Sequence, residues 1–158
     1  MLLIGDCFEK IEEIEEKSVQ AIVTSPPYWG LRDYKVGGQL GEELVPEDFV
    51  INLTAFFHKC KRVLKDDGTL WLNIGDTYFG AKGGHWEGGN SITSDATGSN
   101  YRMSRKAPPK HHRLKTKDLC GVPWMLAFSL QKDGWYLRQD VIWHKPNPMP
   151  EAVTDRCV

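Results

Sequence analysis

Short apolar runs alternate along this chain with segments in which apolar residues recur at helical spacing. The runs predict four strands, at residues 1–5, 19–25, 69–76 and 135–145. The periodic segments between them predict three helices, at residues 6–16, 46–64 and 117–131. Strands that alternate with helices are typical of an open α/β sheet with helices on both faces, and we predict that fold class.

The segment 46–64 carries the clearest helix signals. Pro46 suits the first turn of a helix, and Glu47 and Asp48 suit the positive end of the helix dipole. Its apolar residues fall at helical spacing: Phe49, Leu53, Phe56, Phe57, Cys60 and Leu64. In the strand predicted at 19–25 the apolar run is continuous, which predicts burial on both faces.

Residues 77–117 have few apolar residues and predict a long, flexible loop. A loop of this length inside a compact domain is either functional or disordered. Its second part, residues 102–117, is basic and contains no acidic residue. This basic part predicts either contacts with phosphate groups or a solvated tether, and we leave both open.

The composition is that of an ordinary globular protein. The 158 residues suit one domain, and 20 basic against 21 acidic residues leave no strong overall field. There is no signal peptide and no apolar run long enough to span a bilayer, so we expect a cytoplasmic protein without a membrane partner. The four cysteines are scattered and no Cys/His cluster has ligand spacing, so we expect reduced thiols and no metal.

Two prolines follow the second predicted strand, in the stretch AIVTSPPYWGLRDY that begins at Ala21. Proline lacks a backbone donor and fixes φ, so Pro26 and Pro27 can neither extend a ladder nor begin an ordinary helix. We predict a stiff, extended turn with outward carbonyls between Ser25 and Tyr28. Such a turn forms a small polar pocket with an aromatic lid.

Polar residues follow the first three predicted strands, where each strand ends. They are Asp6, the turn from Ser25 to Tyr28, and Gly75 with Asp76. In open α/β sheets, ligands bind beyond the carboxyl ends of the strands. We therefore expect these residues to converge on one edge of a crevice.

Three segments together resemble the amino-group DNA methyltransferases, which methylate the exocyclic amine of cytosine or adenine. They are TSPPYWGLRDY, RVLKDDGTLWLNIGD and GWYLRQDVIWHKPNPMPE, and the order resembles enzymes whose catalytic segment precedes the segment that binds S-adenosyl-L-methionine. The resemblance implies a Rossmann-like methyltransferase sheet, S-adenosyl-L-methionine as cofactor and double-stranded DNA as partner. It also implies a prokaryotic or phage-encoded protein.

The chemistry of amine methylation suits the predicted turn. The lone pair of an exocyclic amine is delocalised into the ring, and oxygen acceptors at its two N–H groups localise that pair on nitrogen. The Ser25 hydroxyl and the Pro26 carbonyl, held by Pro27, are suitable acceptors. Tyr28 offers a face on which a flipped-out base can stack, worth about 1–3 kcal/mol. The resemblance itself implies cytosine rather than adenine as the target, because the first position of the motif is serine and not aspartate.

The resemblance also assigns cofactor and DNA contacts. It implies cofactor contacts at Asp6, Ser25 and Asp76, although Asp6 is equally suited to cap the first helix. The residues with an implied DNA contact are Trp29, Arg32, Tyr34, Trp143 and Lys145. For Trp143 a place in the core, and for the first three an ordinary loop role, remain open.

One family segment is missing from residues 1–158. The glycine-rich Phe-x-Gly-x-Gly segment that grips the methionine part of the cofactor has no counterpart here, because FGAKGGHWEGG follows the wrong strand and opens no helix. We therefore expect residues 1–158 to be the N-terminal, catalytic part of the methyltransferase domain, completed by the rest of the enzyme or by a self-associated copy. The alternatives are a protein-glutamine or RNA methyltransferase and a non-catalytic DNA-binding remnant.

Overall fold

The computed structural model describes residues 2–80, 91–94, 100–103 and 111–147. In chain order the elements are α1 (Cys7–Lys10), a 3-10 turn (Ile11–Glu13), β1 (Val19–Thr24), α2 (Pro46–Val63), β2 (Leu64–Leu72), β3 (Ser91–Ser94), β4 (Asn100–Met103) and α3 (Val122–Lys132). Within the described residues, β1 and β2 form a parallel two-stranded sheet, and β3 and β4 form an antiparallel pair. The result is a small α/β arrangement, as the alternation of segments predicts.

Helix α2 confirms the strongest prediction to within one residue. Pro46 occupies its first turn, and the helix ends at Val63, one residue before the predicted end. Its inward side chains Phe49, Leu53 and Phe57 are fully buried. Helix α3 packs against α2 and buries Val122 and Leu126.

The sheet is covered on one face only. Ile22 of β1 and Leu70 of β2 pack against the core, whereas Val23 and Trp71, which point the other way, are 79% and 54% exposed. The prediction that the strand at 19–25 is buried on both faces is therefore wrong for the described chain. The continuous apolar run correctly indicates a strand, but nothing in the described residues covers its second face. Because the second face of the sheet is exposed, the described residues do not support the prediction that helices cover both faces.

The first and last predicted strands are wrong. The structure has no strand in residues 2–5 or 135–145, and the apolar side chains there are largely exposed, with Leu2 at 83% and Trp143 at 77%. A strand exists only where another strand satisfies its backbone donors and acceptors. Within the described chain neither segment has such a partner, so neither forms a strand.

The first and third helices are shorter than predicted. Asp6 caps α1 as predicted, because its carboxylate accepts a hydrogen bond from the Phe8 amide at 2.8 Å. The α-helical part ends at Lys10 and a 3-10 turn replaces the rest. Helix α3 begins at Val122, five residues late, because Lys117 has a positive φ of 78° and Leu119 bridges to Tyr78.

The predicted loop at 77–117 contains regular structure. Strands β3 and β4 pair in a register that joins Ser91 to Met103, so the loop prediction is wrong at these residues. Residues 81–90, 95–99 and 104–110 lie outside the described residues, and the last of these ranges belongs to the basic part. None of the helices in the described chain is long and apolar enough to cross a membrane.

Candidate active site

The parallel pairing of β1 and β2 brings two chain segments to one edge of the sheet. Beyond the last paired residues, the Asn73 amide donates to the Thr24 carbonyl at 2.9 Å. The segments that follow remain neighbours, since a Cβ built on Gly75 would lie 3.0 Å from Cε2 of Tyr28. The structure therefore brings together the diproline turn and Gly75 at the carboxyl edge of the strands.

The diproline turn presents polar groups outward. The Ser25 hydroxyl is exposed and donates to the phenolic oxygen of Tyr28 at 3.2 Å. Pro26, Pro27 and Tyr28 are half-buried. The Tyr28 carbonyl accepts a hydrogen bond from the Leu31 amide at 3.3 Å, which closes the next turn of the chain. Among the described residues no backbone or side-chain donor lies against the Pro26 carbonyl.

Gly41 supports the turn from behind. A Cβ at Gly41 would lie 2.9 Å from the Tyr28 carbonyl oxygen and 3.5 Å from Cβ of Pro27. The φ of Gly41 is +97°, a conformation that side chains rarely adopt, so glycine is required here for two reasons. The Gly41 carbonyl also accepts a hydrogen bond from the Gly30 amide at 2.8 Å. The back of the diproline turn is thus in direct backbone contact with a second loop.

Trp29 lies in the core. Its side chain is 5% exposed, it stacks on Phe79 with ring centroids 6.5 Å apart, and its indole N–H donates to the Glu43 carbonyl at 2.8 Å. The prediction that Trp29 contacts DNA does not match this position, because neither its face nor its N–H group is open to a ligand. We assign it to packing behind the turn.

Arg32 and Tyr34 occupy an ordered loop next to the turn, with exposed side chains. The Gln39 amide spans this loop, because its oxygen accepts from the Tyr34 amide at 2.6 Å and its nitrogen donates to the Arg32 carbonyl at 2.8 Å. Trp143 and Lys145 lie in the segment 135–147, which follows α3 without regular structure, and are also exposed. All four remain accessible to a large partner.

Asp76 is a helix cap in this structure. Its Oδ1 accepts from the amides of Thr77 at 2.9 Å and Val122 at 3.0 Å, and its Oδ2 accepts from the Gly121 amide at 2.9 Å. The carboxylate therefore satisfies the free donors at the start of α3 and lies at the positive end of the helix. The cap takes up three of the acceptor positions of the carboxylate, and the cofactor contact that the resemblance implies for Asp76 stays a prediction.

Asp6 fits a cofactor contact better. Its Oδ1 accepts the capping bond from the Phe8 amide, and the side chain is exposed. Its Oδ2 has no hydrogen-bond partner among the described residues. A carboxylate with one free oxygen can accept from a ligand hydroxyl or amine while it continues to cap α1.

Sequence reasoning missed Glu43. Its partners are Trp29, which is 14 residues away, Gly41, and Asn52, which is nine residues away. No local pattern indicates such a set of contacts. The only sequence hint is a carboxylate placed two residues after a glycine in a loop.

The comparisons with known proteins identify the family. The model of the DNA methylase family matches residues 19–158, so the chain belongs to that family. This membership confirms the resemblance and favours DNA over the protein-glutamine and RNA alternatives. No solved structure matches the chain.

Bacterial relatives match nearly the whole chain. It is 48% identical over 155 residues to the Type II methyltransferase M.SmaI of Serratia marcescens, a match that covers 98% of this chain and 51% of that protein. It is 47% identical to M.XycI of Xanthomonas campestris pv. cyanopsidis and 46% identical to M.Cfr9I of Citrobacter freundii, covering 98% of this chain and 49% of each relative. The chain thus spans about half the length of these relatives.

Proposed function

We propose that the protein transfers the methyl group of S-adenosyl-L-methionine to an exocyclic amino group in double-stranded DNA, with the 4-amino group of cytosine as the preferred acceptor. The observation that carries the proposal is the diproline turn at the carboxyl edge of the sheet. There the Ser25 hydroxyl, the Pro26 carbonyl and the Tyr28 ring stand together, in a chain of the DNA methylase family. We propose further that β1 and β2 belong to a Rossmann-like sheet.

The two oxygens of the turn act on the amine. The Ser25 hydroxyl gives its hydrogen to the Tyr28 oxygen, so its lone pairs are available to accept an amine hydrogen. The Pro26 carbonyl accepts the other amine hydrogen. With both N–H groups directed to fixed oxygens, the nitrogen lone pair leaves the plane of the ring and becomes nucleophilic. The diproline keeps these oxygens in place, so the protein contributes alignment rather than a strong base.

The Tyr28 ring receives the target base. Gly75 supports the ring on one side, and the half-buried ring remains accessible on another. A base can reach it only after leaving the duplex, because its amino group is otherwise engaged in the base pair. Stacking of the base on an aromatic ring offsets about 1–3 kcal/mol of the free-energy cost of flipping the base out of the duplex.

The cofactor supplies the methyl group as an electrophilic sulfonium. Asp6 and Ser25 are the cofactor contacts that we propose in this chain, and Asp76 is left to cap α3. The proton that the methylated nitrogen loses can pass to solvent, since the Ser25 hydroxyl is exposed. We propose that the half of the relatives' length that this chain does not match, or a self-associated copy, completes the cofactor site.

We propose that exposed residues make the DNA contacts. Arg32 can pair with a backbone phosphate, and Tyr34 stands beside it on the loop that Gln39 holds. Trp143 and Lys145 offer a stacking ring and a second cation. Tyr34 is 54% exposed, so it needs no rearrangement to meet a partner.

The test is nucleoside analysis after reaction. The full-length protein that contains these residues is incubated with isotopically labelled S-adenosyl-L-methionine and duplex DNA, and the digested nucleosides are separated by mass. Labelled 4-methylcytosine is the expected product. Labelled 6-methyladenine alone would keep the amino-methyltransferase activity and overturn the choice of base. Label in protein or RNA, with none in DNA, would overturn the proposed function.

A further inference from the structure

Glu43 connects three separate parts of the molecule. Its backbone carbonyl accepts the indole N–H of Trp29 at 2.8 Å. Its carboxylate accepts the Gly41 amide through Oε2 at 2.8 Å and the Asn52 side-chain amide through Oε1 at 2.9 Å. One residue therefore joins the chain after the catalytic turn, the loop behind that turn, and helix α2.

Two of these contacts bear directly on Tyr28. Trp29 follows Tyr28 in the chain, so a fixed indole restricts the peptide that carries the Tyr28 carbonyl. Gly41 lies against that same carbonyl, close enough that a Cβ there would be 2.9 Å from the oxygen. The Glu43 carboxylate holds the Gly41 amide, and the Glu43 carbonyl holds Trp29, so Glu43 constrains the Tyr28 peptide from two sides.

The third contact links this arrangement to a rigid element. Asn52 lies on α2, an 18-residue helix whose inner face forms much of the core. Hydrogen bonds to an ionised carboxylate are shorter and stronger than neutral ones. Two charge-assisted hydrogen bonds to the Glu43 carboxylate therefore connect Asn52 of α2 with Gly41, in the loop behind the catalytic turn.

We propose that Glu43 is a positioning residue for amino-group methylation, one that sets the orientation of the Tyr28 ring and the Pro26 carbonyl toward the target base. This inference rests on the proposed function. A small displacement of such groups is costly, because a shift of about 1 Å in a reacting group can lower the rate about 100-fold. In this proposal Glu43 acts through its contacts with Trp29 and Gly41.

The test variant is Glu43→Gln in the full-length protein. Glutamine keeps the shape but replaces one acceptor oxygen with an NH₂ group, so either Gly41 or Asn52 loses its acceptor. We expect kcat for DNA methylation to fall about 10- to 100-fold while KM for the cofactor and for DNA stays within about twofold. The matched control is Asp48→Asn, which removes the same charge from an exposed side chain in the first turn of α2 and should leave kcat unchanged.

A spectroscopic readout separates positioning from general stability. With 2-aminopurine in place of the target base, binding to the wild-type protein should give the fluorescence of a flipped base stacked on Tyr28. Glu43→Gln should change that fluorescence while DNA affinity stays within about twofold. An unchanged fluorescence together with an unchanged kcat would overturn the proposal, as would a loss of kcat that only follows the loss of folded protein.

A second variant covers the case in which Glu43→Gln does not fold. Trp29→Phe keeps the stacking on Phe79 but removes the donor to the Glu43 carbonyl, and we expect a smaller fall in kcat with KM unchanged. Wild-type kcat in Trp29→Phe would then overturn the proposal. The two failures are distinguishable: an inactive wild-type protein refutes the proposed function, whereas an active wild type matched by Glu43→Gln refutes only the role of Glu43.

Discussion

The Tyr28 ring lies directly against the backbone of Gly75. A Cβ built on Gly75 would be 3.0 Å from Cε2 and 3.2 Å from Cδ2 of the ring, closer than almost any real contact. Tyr28 follows β1 and Gly75 follows β2, so the contact joins the two strand ends that form the candidate site. The position of the ring therefore depends on the absence of a side chain in a different segment of the chain.

The first prediction concerns Gly75→Ala. The φ of Gly75 lies outside the region that disfavours side chains, so the added methyl group should displace the Tyr28 ring rather than strain the backbone. We expect kcat to fall about 10-fold, with the free energy of unfolding lowered by no more than about 1–3 kcal/mol. Steady-state kinetics and thermal unfolding measure the two effects.

The control for Gly75→Ala is Gly37→Ala. A Cβ at Gly37 meets nothing within 4 Å and its φ is also unstrained, so this variant should match the wild type in both measurements. If Gly75→Ala also retained wild-type kcat, the Tyr28 ring would not be the surface on which the target base stacks.

The second prediction separates the two functions of Tyr28. Tyr28→Phe keeps the ring and loses only the bond from the Ser25 hydroxyl, so we expect a modest fall in kcat of about two- to fivefold. Tyr28→Ala removes the stacking surface and should lower kcat/KM for DNA about 10- to 100-fold. Tyr136→Ala, at a tyrosine that is 86% exposed, is the matched control. Equal losses in the Phe and Ala variants would contradict a stacking role.

Local signals made part of this fold predictable. Helix α2 is marked by a proline, two acidic residues and apolar spacing, all within its own sequence, and its bounds were predicted to one residue. The diproline turn was predictable for the same reason, because proline acts on its own backbone and that of its neighbour. The turn could therefore be recognised before its surroundings were known.

Contacts distant in sequence account for what could not be predicted. Residues 1–5 and 135–145 have the apolar character of strands, but a strand also needs a partner, which its own sequence does not supply. Asp76 caps a helix 45 residues further along, and the sequence offered only its place at a strand end. Glu43 contacts groups in three separate parts of the molecule. One of them is the indole of Trp29, which lies in the core although it directly follows the diproline turn.

The third prediction tests the cap at Asp76. Asp76→Ala removes the acceptor of two amides at the start of α3 and of the Thr77 amide, so we expect the free energy of unfolding to fall by about 1–2 kcal/mol. Chemical denaturation measures this, with Asp67→Ala, an exposed aspartate on β2, as the control. Asp76→Asn should show a smaller loss and an unchanged KM for S-adenosyl-L-methionine. A KM raised without loss of stability would restore Asp76 to the cofactor site.

A partly buried cluster of His111, Glu47 and Arg113 fixes the segment that precedes α3. His111, with a side chain only 3% exposed, donates through Nε2 to a Glu47 oxygen at 3.0 Å. The donor must be Nε2, because Nδ1 already accepts from the Leu114 amide at 3.0 Å. Arg113 pairs with the other Glu47 oxygen. Burial alone would raise the pKa of Glu47, but the hydrogen bonds from Arg113 and His111 outweigh it and hold that pKa below 4.5, its ordinary value.

The fourth prediction is the pH dependence that this lowered pKa implies. A carboxylate with a lower pKa in the folded state stabilises the fold fully above its unfolded pKa, and this stabilisation is lost as pH falls through the folded value. Glu47→Gln should therefore lower the free energy of unfolding at neutral pH by about 1–3 kcal/mol. The difference from wild type should shrink as the pH falls below 4.5. Denaturation across the acid range measures it, with Asp48→Asn as the control, which removes the same charge from the first turn of α2 and should cost less than about 1 kcal/mol. Wild-type and Glu47→Gln curves that stay parallel below that pH would show that the carboxylate is not stabilised by its partners.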